Sequence, residues 1–407
     1  MTPTRPRFSA VLSNSGFMLL WMGQLLSQLA DRIFIYILMI VAYSLTHTNL
    51  GVSIPMLAFG IPSVLFGSIA GVFADRLDKK GIMVVSGILR GTLILLIIPL
   101  VSKSMPLIFL ITLLIYTVAQ FFAPAETSSI PELVEKKNLI VANSLFMMTW
   151  MGASVLGLGL GAPLVFYLKM EGTFILSAVF YFISAALILL IPLGMNKPSG
   201  EARVTRTIIE DLARGFEYIF KNIVVGYSLL KLFVSTTALA VVSLLAISYT
   251  KEVLKIGAEN FGYLIIAAGL GMFFGLALLE RVSYLLKKGA IILFGLFMSG
   301  IFLFLLSLTS DVRLAVFIIF MLGFGNILVN STIQTVLQVK VPDWMRGRVF
   351  GVQNMLINSA FTFPLILFGF IADFWGLLFA IRLLGIMVIC SGFLGVFSRR
   401  FRGVDVG

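Results

Sequence analysis

Residues 289–308, GAIILFGLFMSGIFLFLLSL, form an uninterrupted run of 20 residues without a charged side chain. A helix of about 20 apolar residues is long enough to cross the hydrocarbon core of a bilayer. The composition of the chain agrees, because 59% of its 407 residues are hydrophobic and only 12% are charged, with a mean hydropathy of +1.07. The sequence therefore predicts an integral membrane protein without long extramembrane domains.

Similar apolar runs recur along the whole chain. The longest connection between them, residues 196–222, divides them into six plus six. Pro131 and Asn143 follow span four and recur as Pro342 and Asn354 after span ten, both at an offset of 211 residues. The twelve predicted spans are 17–45, 50–74, 82–101, 105–127, 141–168, 172–195, 223–249, 261–279, 289–308, 313–338, 346–371 and 375–398.

This pattern predicts an all-α membrane protein with twelve transmembrane helices in two six-helix bundles. The bundles are residues 1–195 and 223–407, and residues 196–222 form a cytoplasmic connection between them. Parallel repeats of six spans are one of the known plans of transporters.

Basic residues are distributed unequally between alternate loops. Of the 30 Lys and Arg residues, 21 lie at the termini or in the loops on the same side, and five lie opposite: Lys103, Lys169, Lys251, Lys255 and Arg313. The positive-inside rule therefore predicts a multi-pass protein of an inner or plasma membrane with both termini cytoplasmic. The net charge of +12 then reflects topology and contact with anionic lipid, so we expect no nucleic-acid partner.

The sequence argues against several kinds of catalytic site. His47 and Cys390 are the single histidine and the single cysteine, which disfavours a metal site. The chain has no Gly-Lys dipeptide for a Walker loop and no Gly-x-Ser-x-Gly sequence for a serine nucleophile. We therefore expect neither an enzyme nor a bound cofactor.

Spans one, four, seven and ten carry polar side chains spaced three or four residues apart, along one face of each helix. Polar groups in hydrocarbon are costly unless they face protein or water, so four such stripes favour a shared polar cavity. The alternative is that these side chains only bond helix to helix, each contributing about 0.6 to 2 kcal/mol. The candidate cavity residues are Gln24, Gln28, Thr112, Tyr116, Gln120, Lys231, Asn326, Asn330 and Gln334.

Asp31 lies near the middle of span one, on its polar stripe. A charged side chain at this depth costs about 2.5 to 3.5 kcal/mol on insertion scales, which makes Asp31 a candidate proton carrier. The alternative is a structural ion pair with Lys231 or Arg90 of another span. Glu126 of span four is a second candidate for proton coupling, and it lies nearer the cytoplasmic end, where we expect water to reach it.

The loop after span two reads GVFADRLDKK at residues 71–80. It resembles the cytoplasmic motif A of the major facilitator superfamily, a Gly-x-x-x-Asp-Arg pattern followed by a basic pair. Further stretches are similar to the branch that contains macrolide-efflux-like and siderophore-exporter-like members. These are GQLLSQLADR (23–32), FFAPAETSSIPELV (121–134), LIVANSL (139–145) and VPDWMRGRVFGVQN (341–354).

The resemblance implies two six-helix bundles around a central cavity and transport by alternating access. It assigns a cytoplasmic gate to Gly71, Asp75, Arg76, Lys79 and Lys80, and we expect Asp75 to meet the positive N-terminal end of the span that starts near Arg346.

The function that follows is a proton-coupled secondary exporter of amphiphilic small molecules, such as drugs, macrolides or siderophore-like compounds. Its expected partners are the substrate, protons and membrane lipids, and we expect a monomer. A lipid or lysophospholipid translocator on the same fold is the alternative, followed by an importer, an intramembrane enzyme and a receptor.

Overall fold

A computed structural model describes residues 11–100, 104–135, 138–192 and 206–397 of the chain. The regular elements in these ranges are helices. Six of them precede the predicted central connection: α1 Ser15–Thr46, α2 Asn49–Arg76, α3 Lys79–Ile97, α4 Met105–Leu133, α5 Leu139–Gly159 and α6 Gly161–Leu189.

Eight more helices follow. The first, α7 Arg206–Lys221, lies in the predicted central connection. The others are α8 Ile223–Ser248, α9 Phe261–Leu285, α10 Lys288–Leu306, α11 Val312–Lys340, α12 Asp343–Ala360, α13 Phe363–Trp375 and α14 Leu377–Phe397.

The helices account for the twelve predicted spans. Ten helical segments of the described ranges are long and apolar enough to cross a membrane. The helices α2 and α5 occupy the positions of predicted spans two and five. The all-helical membrane fold expected from the sequence is confirmed.

Two predicted spans differ from the observed helices. Span eleven is broken, because α12 ends at Ala360 and α13 begins at Phe363. Pro364 in the first turn of α13 has no amide hydrogen, so the helix cannot continue through it with regular bonding. Span five contains a break at Leu160, between the end of α5 at Gly159 and the start of α6 at Gly161. The positive φ of 59° at Lys169 interrupts α6 between predicted spans five and six, so residues 161–168 belong to span five as predicted.

The chain forms two compact units. The first comprises the described parts of residues 1–45 and 61–204, and the second those of residues 46–60 and 205–407. The helix α2 therefore begins in the second unit and ends in the first. The predicted bundle limits, 1–195, 196–222 and 223–407, stay a prediction, since residues 193–205 lie outside the described ranges.

The first unit has a core of apolar side chains from five helices, α1, α3, α4, α5 and α6. Phe17 and Leu20 of α1 pack there with Met83 of α3, Phe122 of α4 and Ile188 of α6. This packing fixes α1, α3, α4 and α6 relative to one another, and these are the helices that carry the site described next.

Candidate functional site

Asp31 lies at the centre of the 32-residue helix α1, where two other helices of the first unit bring side chains to it. Arg90 of α3 places its Nη1 atom 3.4 Å from Asp31 Oδ2. Tyr181 of α6 donates its phenolic hydrogen bond to Asp31 Oδ1. Of the two cations considered from the sequence as partners of Asp31, Arg90 is therefore the one that forms the ion pair.

Arg90 is held from three sides. Its side chain is only 2% exposed, its Nη2 atom donates to Ser27 Oγ at 3.3 Å, and its Nη1 atom lies 3.4 Å from the Tyr181 hydroxyl oxygen. The guanidinium carbon lies 4.3 Å from the ring centroid of Tyr181 and 4.8 Å from that of Phe122. Stacking and ion pairing together offset the cost of burying this cation.

Two glycines explain why α3 can bring Arg90 so close to α6. A Cβ atom on Gly87 would lie 3.2 Å from the Tyr181 carbonyl oxygen, and one on Gly91 would lie 3.2 Å from the Ala178 carbonyl oxygen. Small residues at such positions let helix backbones approach each other in a membrane. The GxxxG spacing on α3 therefore sets the position of the intervening Arg90 next to Tyr181.

Glu126 of α4 joins this group of charges. It is 5% exposed, and its Oε1 atom has no hydrogen-bond partner among the described residues. Its carboxyl group interacts electrostatically with Arg90 and with Asp31. The expectation that water reaches Glu126 is therefore wrong: α4 packs its Glu126 face into the first unit, where Ala125 and Ser129 are also buried.

The other polar candidates of the first unit occupy buried or half-buried positions. Thr112 is fully buried, and its hydroxyl donates to a carbonyl of its own helix at 2.7 Å. Gln120 Nε2 lies 3.4 Å from the Tyr116 carbonyl oxygen, and Tyr116 itself is 3% exposed. Gln24 is buried, with an Oε1 atom that lacks a partner among the described residues, while Gln28 is half-buried. The Thr112 hydroxyl therefore bonds within its own helix, whereas Gln24 Oε1 accepts no hydrogen bond from the described residues.

Lys231 lies in the second unit, within α8. It is fully buried, and its ammonium group donates to the carbonyl oxygen of Ser391 on α14 and, at 3.1 Å, to the hydroxyl oxygen of the same residue. The ring of Tyr227 lies 5.8 Å from Nζ. Lys231 therefore connects α8 to α14.

The asparagines of α11 are bonded to α8. Asn326 Nδ2 donates to the carbonyl and hydroxyl oxygens of Ser235 at 2.9 and 3.0 Å. Asn330 Nδ2 donates to Asn326 Oδ1 at 3.0 Å, and the Thr236 hydroxyl lies 3.4 Å from Asn330 Oδ1. This arrangement fits the alternative that the stripe on span ten holds helices together.

Gln334, the third candidate of α11, accepts a hydrogen bond of 2.8 Å from Gln353 Nε2 of α12. Gln353 Oε1 is buried and lacks a partner within the described ranges. The polar stripe of α11 therefore ends at the hydrogen bond between Gln334 and Gln353, and Gln353 Oε1 has no donor among the described residues.

The basic pair of the predicted gate is bound within the first unit. Lys79 is buried, forms an ion pair with Glu132 and donates to the Ser128 carbonyl oxygen at 3.3 Å. Lys80 Nζ donates to the Ile191 carbonyl oxygen at 3.1 Å. The side chains of the other predicted gate residues, Gly71, Asp75 and Arg76, lie outside the described part of the structure, and their assignment stays a prediction.

Tyr181 was not predicted as a site residue. The signal for it is a fifth polar stripe, on span six, where Thr173, Ser177, Tyr181 and Ser184 recur at helical spacing and are all buried. Ser184 of this stripe donates to the Gly23 carbonyl oxygen at 2.7 Å and joins α6 to α1. The stripe identifies the face of α6 that packs toward Asp31.

Residues 20–364 match the sequence profile of the Major Facilitator Superfamily. The chain belongs to the major facilitator superfamily. It is accordingly a multi-pass membrane transporter and not an enzyme, as expected from the sequence.

Relatives within the superfamily align over most of the chain. YfiS of Bacillus subtilis (strain 168), a transporter of the same type, is 26% identical over 410 residues, which cover 95% of this chain and 94% of YfiS. Macrolide efflux protein A of Streptococcus pyogenes is 24% identical over 403 residues, with 96% and 97% covered. A putative bacilysin exporter, BacE of Bacillus subtilis, is 26% identical over 356 residues, with 85% of each chain covered.

Solved structures of the superfamily share the fold. The nucleoside transporter NupG superposes with a TM-score of 0.78 at 10% sequence identity, covering 94% of this chain and 99% of NupG. A bacterial homologue of the human lysosomal transporter Spinster gives a TM-score of 0.72 at 12% identity, with 95% of both chains covered.

Proposed function

We propose that this transporter is a proton-coupled exporter of amphiphilic small molecules that works by alternating access in an inner or plasma membrane. The observation that carries the proposal is the buried group formed by Asp31, Arg90, Tyr181 and Glu126 in the first unit. Buried ionisable side chains within a membrane span are expensive and usually serve transport of ions or protons.

The chemistry of this group suits proton coupling. One guanidinium, that of Arg90, is close to two carboxyl groups, and it contacts Asp31 directly at 3.4 Å. A proton taken up from water by the Asp31 carboxylate would neutralise it and weaken the ion pair, leaving the carboxylate of Glu126 as the partner of Arg90. Release of the proton would restore the pair, so each conformation can favour a different protonation state.

The direction and substrate class rest on the relatives. Macrolide efflux protein A and the putative bacilysin exporter BacE are named for export, and each aligns with 85% or more of this chain. The Phe122 ring stacks on Arg90, and Trp21 of α1 and Phe121 of α4 are half-buried; these aromatic side chains suit an amphiphile that has a large apolar surface.

Transport in proteoliposomes tests the proposal. The parent should accumulate a macrolide or another amphiphile against its gradient when an inward or outward pH gradient is applied, whereas Asp31→Asn should not. Asp31→Asn should still catalyse downhill flux, because the amide keeps the shape of the carboxyl and cannot titrate. Asp311→Asn is the matched control, since Asp311 is an exposed acid that only caps its own helix α11.

A folded Asp31→Asn protein that pumps uphill with the parent's pH dependence would contradict the assignment of Asp31. Glu126→Gln is then the next variant, because Glu126 is the other acid beside Arg90. A panel that contains a lysophospholipid separates a drug exporter from a lipid translocator, since only the latter would move that substrate in preference to macrolides.

A further inference from the structure

Helix α7, in the central connection, has a charged face in its second half. Arg214, Glu217 and Lys221 recur at spacings of three and four residues, which places them on one side of the helix. All three are exposed, and Lys221 forms an ion pair with Glu217 one turn before it. This side of α7 is therefore suited to contact with water.

The other face of the same turns is apolar and consists of Phe216, Ile219 and Phe220. Ile219 is buried and Phe216 is half-buried, whereas Phe220 is 82% exposed. Protein therefore covers only a part of this face. Phe216 and Phe220 form the remaining part, which we call the apolar edge of α7.

The covered part of α7 packs on the first turns of two helices of the second unit. A Cβ atom on Gly215 would lie 3.1 Å from the Arg348 carbonyl oxygen in α12. A Cβ atom on Gly226 of α8 would lie 3.1 Å from the Ile219 carbonyl oxygen. Since Arg348 and Gly226 lie within the first two turns of α12 and α8, this stretch of α7 runs alongside the starts of both helices.

The start of α8 marks the membrane surface at this point. Residues Ile223–Val253 form a helical segment that is long and apolar enough to cross a bilayer. Phe220 precedes this segment by three positions, and three residues of chain span at most about 11 Å. The Phe220 ring therefore lies close to the boundary between lipid headgroups and acyl chains.

A second aromatic side chain is exposed where another span of the same unit begins. Trp344 is the second residue of α12 and is 71% exposed. Tryptophan and other amphipathic aromatic residues are enriched at the two surfaces of a membrane. In water the Phe220 ring would stay hydrated, whereas lipid at this level would cover it, which is favourable for apolar surface.

We infer that α7 is an interfacial helix, whose apolar edge inserts into the lipid leaflet on the predicted cytoplasmic side while its charged face stays in water. A charged face opposite an apolar one is typical of helices that lie in a membrane surface. The exposed charges of this stretch have both signs, so the apolar edge binds the bilayer and anionic lipid is not required. The central connection is then anchored to the membrane just before α8.

The accessibility of spin labels in proteoliposomes of phosphatidylcholine tests this inference. Phe220→Cys and Glu217→Cys, each in a Cys390→Ala background, carry one label on the apolar edge and one on the charged face. Oxygen collides mainly with labels in lipid, and a water-soluble nickel chelate collides mainly with labels in water. The label at position 220 should lie about 5 to 10 Å inside the headgroup–acyl boundary, and the label at position 217 should be in water.

Two other results would overturn the inference. Frequent collision of both labels with nickel would show that the apolar edge is in water. A label at position 220 that neither reagent reaches would show that protein, from this chain or a second copy, covers the edge in place of lipid.

A label at Phe216→Cys tests the edge with Phe220 in place. Phe220→Glu should raise the collision of this label with nickel, because a carboxylate draws the edge into water. Lys221→Gln is the matched control, since it makes the same change in net charge on the adjacent, charged face and should leave the label in lipid. Equal effects of the two substitutions, or no effect of Phe220→Glu, would mean that Phe220 does not anchor α7.

The inference depends on the membrane location of α8 and goes beyond the proposed coupling and substrate. Failure of the Asp31→Asn transport test would leave the label depths unchanged. A label at position 220 in water would likewise leave the transport test of Asp31 with its meaning.

Discussion

Arg90 and Asp31 form an ion pair of 3.4 Å between α3 and α1, in which the guanidinium side chain is 2% exposed and the carboxylate side chain 19%. The pair lies at the centre of α1, and the attraction between the two charges offsets the cost of removing each of them from water. Tyr181 links the same carboxylate to α6, which makes Asp31 the meeting point of three helices.

Replacing Arg90 with methionine should destabilise the protein, because it leaves a buried carboxylate without its cation. Losses of this kind are about 3 to 5 kcal/mol. The double variant Asp31→Asn with Arg90→Met should recover part of the loss, with a coupling of roughly 0.5 to 3 kcal/mol, measured by thermal unfolding in detergent.

Lys221→Met is the control for this cycle, since Lys221 and Glu217 form an ion pair with exposed side chains of 75% and 60%. That variant should unfold at the parent's temperature, because exposed pairs contribute little. Strict additivity of the Asp31 and Arg90 variants would mean that the two charges do not support each other.

Tyr181→Phe should reduce stability by about 1.5 to 3 kcal/mol, because the hydrogen bond to the Asp31 carboxylate is lost while the ring beside Arg90 is kept. Thermal unfolding measures the change. Tyr167→Phe in the same helix α6 should have no effect, since Tyr167 is 79% exposed. A Tyr181→Phe variant as stable as the parent would show that the phenol is not needed to hold Asp31.

Gly91→Ala should push α3 away from α6, because the new Cβ would lie 2.8 Å from the Phe182 ring and 3.2 Å from the Ala178 carbonyl oxygen. Overpacking of this kind costs about 1 to 3 kcal/mol. Gly152→Ala is the matched change in α5, where a Cβ meets nothing within 4 Å, and the better helix propensity of alanine should leave stability equal or slightly higher. Unfolding temperatures of the two variants decide the point, and equal values would argue against close packing of α3 on α6.

The orientation in the membrane follows from the split of basic residues, 21 against five. Single cysteines introduced at Arg5, within residues 196–222 and at Arg402, in a Cys390→Ala background, should be protected from an impermeant maleimide in intact cells. Cysteines at His47, Lys169 and Lys255 should react. External labelling of the central connection would reverse the predicted topology.

The helices themselves could be predicted from the sequence because their cause is local. Twenty apolar residues in a row must satisfy their backbone hydrogen bonds internally within lipid, so the run at residues 289–308 becomes α10 whatever its neighbours are. The positions at which helices end within an apolar run could not be predicted in this way. The ends of α5 and the interruption between α12 and α13 lie inside apolar runs, where hydropathy carries no signal.

The candidate site was predicted in part. Asp31 and Glu126 stood out because an acid in an apolar span is costly at any position along the chain. The burial of Glu126 depends on which face of α4 packs into the unit, and the sequence alone does not give the rotation of a helix around its axis.

What the sequence determined by itself is the membrane location, the helical class and the acids that need a partner, since each follows from hydropathy summed over one segment. Tertiary structure decided the partners. Arg90 pairs with Asp31 and lies next to Tyr181, where Gly87 and Gly91 let α3 approach α6, whereas Lys231 is bonded to Ser391. The cap of Asp373 on α2 joins residues 324 positions apart, and only the packing of α13 on the first turns of α2 brings that carboxylate to the free amides.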